Sequence, residues 1–206
     1  MFCAHQADAA KERGAARAER RRTHGADAAE YRGLSERCLS FGIPRLPGAY
    51  NNNYHILQTP EYVAIVSEMV HDARIIRLGP QNPLPAHVRP WMGDSWGYWE
   101  GETLVVETTN IHPEQRLVGG GANFMPSEQA TIIERLTRVG PQTINYEFTV
   151  DDPGMFTRPF SGQVPFRALD DLVYEYSCHE GNYAMSGVLS GARAGERDAG
   201  ESLNQN

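Results

Sequence analysis

The stretch Ala130–Asp152, ATIIERLTRVGPQTINYEFTVDD, decides the fold class. Apolar side chains in its second half alternate with polar ones, at Ile144, Tyr146, Phe148 and Val150. Alternation with a period of two is typical of a strand that buries one face. A Gly-Pro-Gln sequence at residues 140–142 divides the stretch, and such residues mark turns. The stretch therefore predicts two strands joined by a turn.

Short segments of the same kind lie on both sides of this stretch. Turns rich in Gly, Pro, Asp and Asn separate them, and no helical pattern lies between consecutive segments. Because parallel strands need long crossover connections, we expect an antiparallel meander. We predict eight or nine strands, at residues 54–59, 62–69, 73–78, 96–99, 103–111, 130–139, 143–152, 157–168 and 172–179.

A long meander must close or stack to remove its free edges. We therefore predict a mainly β fold, an antiparallel meander β-barrel of the lipocalin or calycin type across residues 54–180. A two-sheet sandwich is the alternative. The segment Tyr183–Ala194 predicts a short C-terminal helix that packs on the barrel.

The two ends of the chain differ in composition from its middle. Residues 1–33 are rich in Ala, Arg and Glu and predict a disordered or helical N-terminal arm. Residues 34–195 form the predicted barrel domain, and the polar residues 196–206 a disordered tail. The glycine-rich residues 118–124 predict a mobile loop over the barrel mouth.

The charge distribution argues against nucleic acid as a partner. The net charge is −7, and residues 38–206 carry 20 acidic but only 11 basic side chains. Such a domain repels phosphate backbones. No apolar run approaches the roughly 18 residues that a membrane span needs, and the first residues lack the apolar core of a signal peptide. As written, the chain is predicted to be cytoplasmic, with no membrane partner.

Several enzyme signatures are absent from the sequence. It contains no G-x-S-x-G, no G-x-G-x-x-G after a strand, no P-loop and no H-E-x-x-H. We therefore predict no cofactor and no metal. A metal site built from His71, His179 and a carboxylate is the less favoured alternative.

Two histidines are the candidate general bases, since a small barrel can hold one ligand inside. If the strand runs unbroken past residue 69, His71 shares a face with Ile65 and Ile75, while Arg74 lies on the other. A turn near Val70 would cancel this, and a core histidine bonded to a carbonyl is the simpler interpretation.

The segment YEYSCHEGNYAM (Tyr174–Met185) carries the other histidine. Strand alternation predicts that His179 faces the cavity and that Glu180 faces away, toward the helix start. Asn182 is a candidate helix cap. The alternative is a structural role, with Cys178 buried and the segment locking the last strand.

Other polar and aromatic residues complete the predicted site. Tyr54 is the candidate hydrogen-bonding electrophile, with Tyr183 as the alternative, and Asp94 the orienting group. Indole rings line pockets for apolar or ring-shaped ligands, although they also fill barrel ends. The predicted substrate-binding residues are Trp91, Trp96, Trp99, Asn53, Tyr146 and Tyr183.

These residues favour proton-transfer chemistry on a small molecule. We expect a cofactor-independent lyase, isomerase or hydratase that acts on a ring-containing or apolar substrate. A non-catalytic carrier of the lipocalin type is the alternative, and a purely structural protein is the third possibility. The sequence leaves the oligomeric state open.

The three cysteines match no zinc or thioredoxin spacing. Cys38 and Cys178 lie at opposite ends of the domain sequence, and a barrel brings its first and last strands together. We therefore predict that their Cα atoms lie within roughly 7 Å, the reach of a disulfide.

The segments WMGDSWGYWEGETLVVETTNI, YEFTVDDPGMFTRPF and YEYSCHEGNYAMSGVLSGARA resemble a widespread, largely uncharacterised bacterial family of small β-rich proteins. The resemblance covers about residues 34–195. It implies a β-rich domain and, because members are often exported, possible export.

Overall fold

The computed structural model describes Glu19 and residues 24–47, 50–115 and 125–203. Its central element is one eight-stranded sheet, in which strands adjacent in sequence are also adjacent in space. The strands are β1 (Tyr54–Gln58), β2 (Tyr62–Ser67), β3 (Ala73–Leu78), β4 (Asp94–Glu100), β5 (Thr103–Thr109), β6 (Thr131–Gly140), β7 (Thr143–Asp151) and β8 (Phe160–Arg167). One long helix, α1 (Tyr183–Leu203), follows them.

All neighbouring strands pair antiparallel except β3 and β4. These two run parallel and share only two residue pairs, Arg77 with Trp96 and Leu78 with Gly97. The proline-rich residues 79–93 form a connection long enough to return the chain to the end at which β3 began. The expectation of a purely antiparallel meander is therefore wrong at this one pair.

The sheet curls into a half-barrel and does not close. Within the described residues, β1 and β8 are the two ends of the strand order and do not pair with each other. The core lies on the concave side and includes Val63, Ile76, Val106, Ile132, Tyr146, Phe148 and Val150. The apolar face predicted for β7 is thus confirmed, and the fold is mainly β. The closed barrel is wrong.

The predicted ninth strand, residues 172–179, is not a strand. The chain leaves the sheet after Arg167, and Ser177 has a left-handed backbone with φ 31°. Leu172 and Tyr174 are exposed, so the apolar side chains of this segment do not join the core. Without a neighbouring strand, no ladder of backbone hydrogen bonds holds the segment extended.

Helix α1 is longer than predicted. It continues through residues 195–203, which the sequence assigned mainly to a disordered tail. Ala, Glu and Arg in this part are good helix formers, and Arg193 donates to the carbonyl oxygen of Ala26 at 3.1 Å. The helix is therefore tied to the segment before the sheet.

A disulfide joins the two ends of the domain. Cys38 and Cys178 are bonded, with their Cα atoms 5.8 Å apart, which confirms the predicted proximity. Leu34 and Ile43, on either side of Cys38, are fully buried. Most of the predicted N-terminal arm and all of the predicted loop at residues 118–124 lie outside the described residues.

Candidate functional site

A cleft of about 430 Å³ opens where β1 approaches β7 and β8 without pairing; we call it the β1–β8 cleft. A cavity of this size suits a small organic molecule. Its walls are mostly apolar, with Ile56, Ile144, Val164, Phe166, Leu169 and Val173. Its polar lining residues include Asn52, Asn53, Tyr54, Gln142, Thr143, Arg138 and Arg167.

Stacked aromatic rings form one wall of the cleft. The ring of Phe166 lies 5.1 Å from that of Tyr54 and 4.8 Å from that of Tyr146, and both pairs are stacked. Burial raises the pKa of Tyr54, although the nearby positive charge of Arg45 opposes the rise. Tyr54 therefore keeps its proton at neutral pH and can donate a hydrogen bond to a ligand.

A buried polar network lies in the concave side of the sheet, on the core side of Tyr146. Arg74 donates to Glu134 Oε2 and to Thr108 Oγ1, each at 2.5 Å. It also donates from Nε to Ser95 Oγ at 3.0 Å. The Tyr146 hydroxyl donates to the other Glu134 oxygen at 2.7 Å. All five side chains are buried, so their charges and hydroxyls depend on one another for partners.

The network continues into the segment before the sheet. The backbone N–H of Arg45 donates to the Tyr146 hydroxyl at 3.1 Å, and its guanidinium donates to Asp72 Oδ2 at 3.0 Å. The same carboxylate oxygen accepts from the backbone N–H of Phe41. The network therefore fixes residues 41–45 against the sheet.

Burial and charge shift several pKa values in this network. The pKa of Tyr146 is raised well above its ordinary value, first by burial and then by the nearby Glu134 carboxylate. Burial lowers the pKa of Arg74, but the charge and hydrogen bond of Glu134 raise it by more, so the pKa of Arg74 is raised overall. Burial lowers the pKa of Arg45 against the opposite effect of Asp72. Tyr146 and Arg74 therefore both keep their protons at neutral pH.

The two predicted bases lie outside the β1–β8 cleft. His71 and His179 are exposed, yet their rings lie 5.8 Å apart, beside the disulfide. The turn suspected near Val70 exists, since Val70 and His71 have φ of 62° and 44°. It cancels the alternation that placed His71 inside and Arg74 outside, and Arg74 is the residue that is buried. The predicted cavity position of His179 is wrong because its segment is not a strand.

Left-handed backbone is concentrated at this corner of the molecule. Cys38, Val70, His71 and Ser177 all have positive φ, which is rare for residues other than glycine. Strained backbone of this kind often marks functional sites. A second, more open cavity of about 770 Å³ lies here, lined in part by Met69, Val70, Tyr176 and Cys178.

Asp94 and Trp96 lie on the convex face of the sheet. Ser95 reaches Arg74 on the concave side, so its neighbours in β4 point the other way. Asp94 is buried, pairs with Arg77 and accepts from the backbone N–H of Leu84 at 2.8 Å. Asp94 therefore fixes the connection at 79–93 and cannot orient a group in the β1–β8 cleft.

The three tryptophans do not form one binding surface. The Arg77 guanidinium lies over the buried Trp96 ring at 4.0 Å. Trp91 packs on His112 with 4.0 Å between ring centroids, and Trp99 is half-exposed near the end of β4. Trp91 and Asp94 instead border a third cavity of about 460 Å³ on the convex side.

The remaining predicted residues divide between cleft, core and surface. Asn53 lines the β1–β8 cleft, and its amide donates to Glu68 at 2.8 Å. Tyr146 is buried in the network beside the cleft, whereas Tyr183 is exposed at the start of α1. Glu180 is exposed. Asn182 Oδ1 accepts from the backbone N–H of Met185 at 3.4 Å, the contact of a helix cap.

The charged centre of the molecule, the pair Arg74 and Glu134, was not predicted from the sequence. In β6, Glu134 stands between Ile132 and Leu136 on the face that alternation assigns to the core. In β3, Arg74 stands two residues before Ile76 on the buried face. Each of these two strands has a charged residue at a position that faces the core, and this signal could have revealed the pair.

Two general properties complete the description. Among the described residues, no group of three or more His, Cys, Asp or Glu is placed to share a metal ion. The described helices include none that is both long and apolar enough to cross a membrane.

Comparisons were made with protein-family models, with curated proteins and with solved structures. No family model, curated protein or solved structure matches this chain. The resemblance to a bacterial β-rich family therefore stays a prediction.

Proposed function

We propose that this protein is a small-molecule carrier that holds its ligand in the β1–β8 cleft. The observation that carries the proposal is the chemistry of the cleft walls. Among the described residues that line the cleft there is no His, Cys, Asp or Glu. A general acid–base site needs a group that titrates near neutral pH, and Tyr54, whose pKa is raised by burial, is unsuited to that role. Apolar walls with a few polar groups favour binding over catalysis.

We further propose that the protein holds its ligand in the way that lipocalins do. In such a fold one ligand sits inside a curled antiparallel sheet. The gap between β1 and β8 supplies an entrance, and the stacked rings of Tyr54 and Phe166 supply a flat apolar wall for a chain or a ring.

A matched pair of tryptophan substitutions in β1 tests this function. Ile56 lines the cleft, whereas its neighbour Leu57 is exposed and does not. Nile red, an uncharged fluorescent probe, should bind the native protein with saturable, one-site behaviour. Ile56→Trp fills the cleft and should abolish binding, while Leu57→Trp should leave it unchanged.

The outcome against the proposal is equally concrete. Absence of saturable binding to the native protein, or native binding by Ile56→Trp, removes the cleft as the ligand site. If Ile56→Trp fails to fold, as judged by circular dichroism, Ala168→Trp at the rim of the cleft takes its place.

A second candidate function, proton-transfer catalysis, is favoured by the pair His71 and His179. Two exposed imidazoles with rings 5.8 Å apart, of which His71 has a left-handed backbone, can act as acid and base on one substrate. Turnover should then be measured on a panel of hydratable and isomerisable substrates. His71→Ala and His179→Ala should each lower turnover. The control His55→Ala, at an exposed position of β1, should leave turnover unchanged. Full turnover in both variants removes this candidate.

A further inference from the structure

The β1–β8 cleft has an unusual charge for this protein. The chain carries a net charge of −7, yet two arginines and no described Asp or Glu line the cleft. We infer that the ligand of this cleft is an amphipathic anion, an apolar molecule that carries one carboxylate. This inference rests on the proposed function and names the class of ligand.

The arginines of the sheet fall into two groups. Arg74, Arg77 and Arg135 lie away from the cleft, and each pairs with a carboxylate. Arg138 and Arg167 line the cleft, and neither pairs with a carboxylate within the described part of the chain. In an acidic protein, cations left without a partner at one cavity are suited to an anion supplied by the ligand.

The position of Arg138 is fixed by the turn between β6 and β7. Its Nε donates to the carbonyl oxygen of Gly140 at 3.3 Å, and one terminal nitrogen donates to that of Pro141 at 2.8 Å. A guanidinium has five N–H donors, so donors remain for a carboxylate. The anchor is therefore held in place before a ligand arrives, which reduces the entropy lost on binding.

Arg167 stands on the other side of the same rim. Arg167 is the last residue of β8 and lies opposite Thr143 of β7 in the sheet register. The backbone N–H of the next residue, Ala168, donates to the carbonyl oxygen of Gln142 at 2.9 Å. This bond joins the end of β8 to the turn that holds Arg138. The two cations therefore belong to one hydrogen-bonded rim, above walls formed by Ile144 and Phe166.

The interior of the cleft suits the apolar body of such a ligand. Its apolar side chains would cover a chain or ring, and the Tyr54 hydroxyl stays protonated as a donor. A cation as the ligand head would meet two arginines and would be repelled. A neutral head group would gain less from them, because it lacks the negative charge that strengthens a hydrogen bond from a guanidinium.

The test compares two ligands that differ only in the head group. Displacement of Nile red by dodecanoate and by dodecanol is measured at pH 8 and low salt. The native protein should bind dodecanoate about tenfold more tightly, as expected for charge-assisted hydrogen bonds at a partly exposed site. The double variant Arg138→Gln/Arg167→Gln should lose this preference and keep its affinity for dodecanol. The matched control Arg135→Gln, on the same strand as Arg138, should keep the preference.

Each result decides a different question. Equal affinities of the native protein for the two ligands, or an unchanged preference in the double variant, overturn the inference while leaving the carrier function intact. Failure of Nile red and of both ligands to bind overturns the carrier function itself. If the double variant does not fold, the single variant Arg167→Gln gives the same comparison, since the contacts that shape the turn are those of Arg138 and, within the described part of the chain, none comes from the Arg167 side chain.

Discussion

The buried pair of Arg74 and Glu134 makes a demanding prediction about stability. The two side chains are 6% and 2% exposed, and their charged atoms lie 2.5 Å apart. Glu134→Gln keeps the shape of the side chain but leaves the charge of Arg74 buried without its counterion. Removing one partner of a buried pair typically costs about 3–5 kcal/mol. Since a domain has about 5–15 kcal/mol of stability in total, this one substitution should remove a large part of it.

Urea unfolding followed by circular dichroism measures this effect. With a slope of about 2–3 kcal/mol per molar, the midpoint should fall by about 1–2.5 M. The control is Arg135→Gln at the next residue, where the side chain and its partner Glu100 are both exposed. That pair is screened by water, so the midpoint should stay at the native value.

A double variant separates the charge from the packing. Arg74→Met combined with Glu134→Leu removes both charges, so no ion stays buried without a partner, and it should be more stable than Glu134→Gln. Two results refute the reasoning: a loss below about 1 kcal/mol for Glu134→Gln, or a double variant that is less stable than Glu134→Gln.

Three further predictions follow from the same contacts. Above pH about 10 the tyrosines of the unfolded chain lose their phenolic protons, whereas buried Tyr146 keeps its own because its pKa is raised. The free energy of unfolding should therefore fall as the pH rises above about 10. Urea midpoints from pH 8 to 11 measure this fall, and Tyr146→Phe should make it smaller. Reduction of the disulfide, which spans 140 residues, should cost about 2–5 kcal/mol and lower the melting temperature, whereas an identical midpoint with and without dithiothreitol would contradict this. A Cβ at Gly162 would lie 2.6 Å from Cε1 of the Phe148 ring, so Gly162→Ala should cost about 1–3 kcal/mol in urea unfolding. Phe148→Leu in the same chain should recover part of that loss, and Gly187→Ala, with open space around its Cβ, should cost nothing.

Strand periodicity predicted most of the sheet because one face of each strand meets the core. The alternation at residues 144–150 and the turn around Gly101, with φ 61°, are both present in the structure. Periodicity failed at residues 172–179, where apolar residues alternate but no strand in the described part of the chain pairs with them. Alternation describes a side-chain pattern and cannot show whether a backbone partner is available.

The candidate site was harder to predict, for a related reason. Tyr54 and Asn53 were assigned to the ligand site, and both line the β1–β8 cleft. His71 was misplaced because two left-handed residues, Val70 and His71, interrupt the strand; the sequence raised a turn there only as an alternative, since a β-branched residue such as Val70 rarely adopts this conformation. The cationic rim depends on the approach of β6, β7 and β8 at one end, which is a property of the tertiary fold.

The parallel pairing of β3 and β4 is the shortest in the sheet, and this affects how the sheet unfolds. Only two residue pairs join the three-stranded part, β1–β3, to the five-stranded part, β4–β8. Arg74 reaches across this seam from β3 to Ser95 on β4, Thr108 on β5 and Glu134 on β6. Side chains thus supply the cohesion that backbone hydrogen bonds supply elsewhere in the sheet. Cooperative units of a protein usually separate where cohesion is weakest, so we expect the sheet to open first between β3 and β4 when the Arg74 contacts are removed, and to unfold as one unit while they are present.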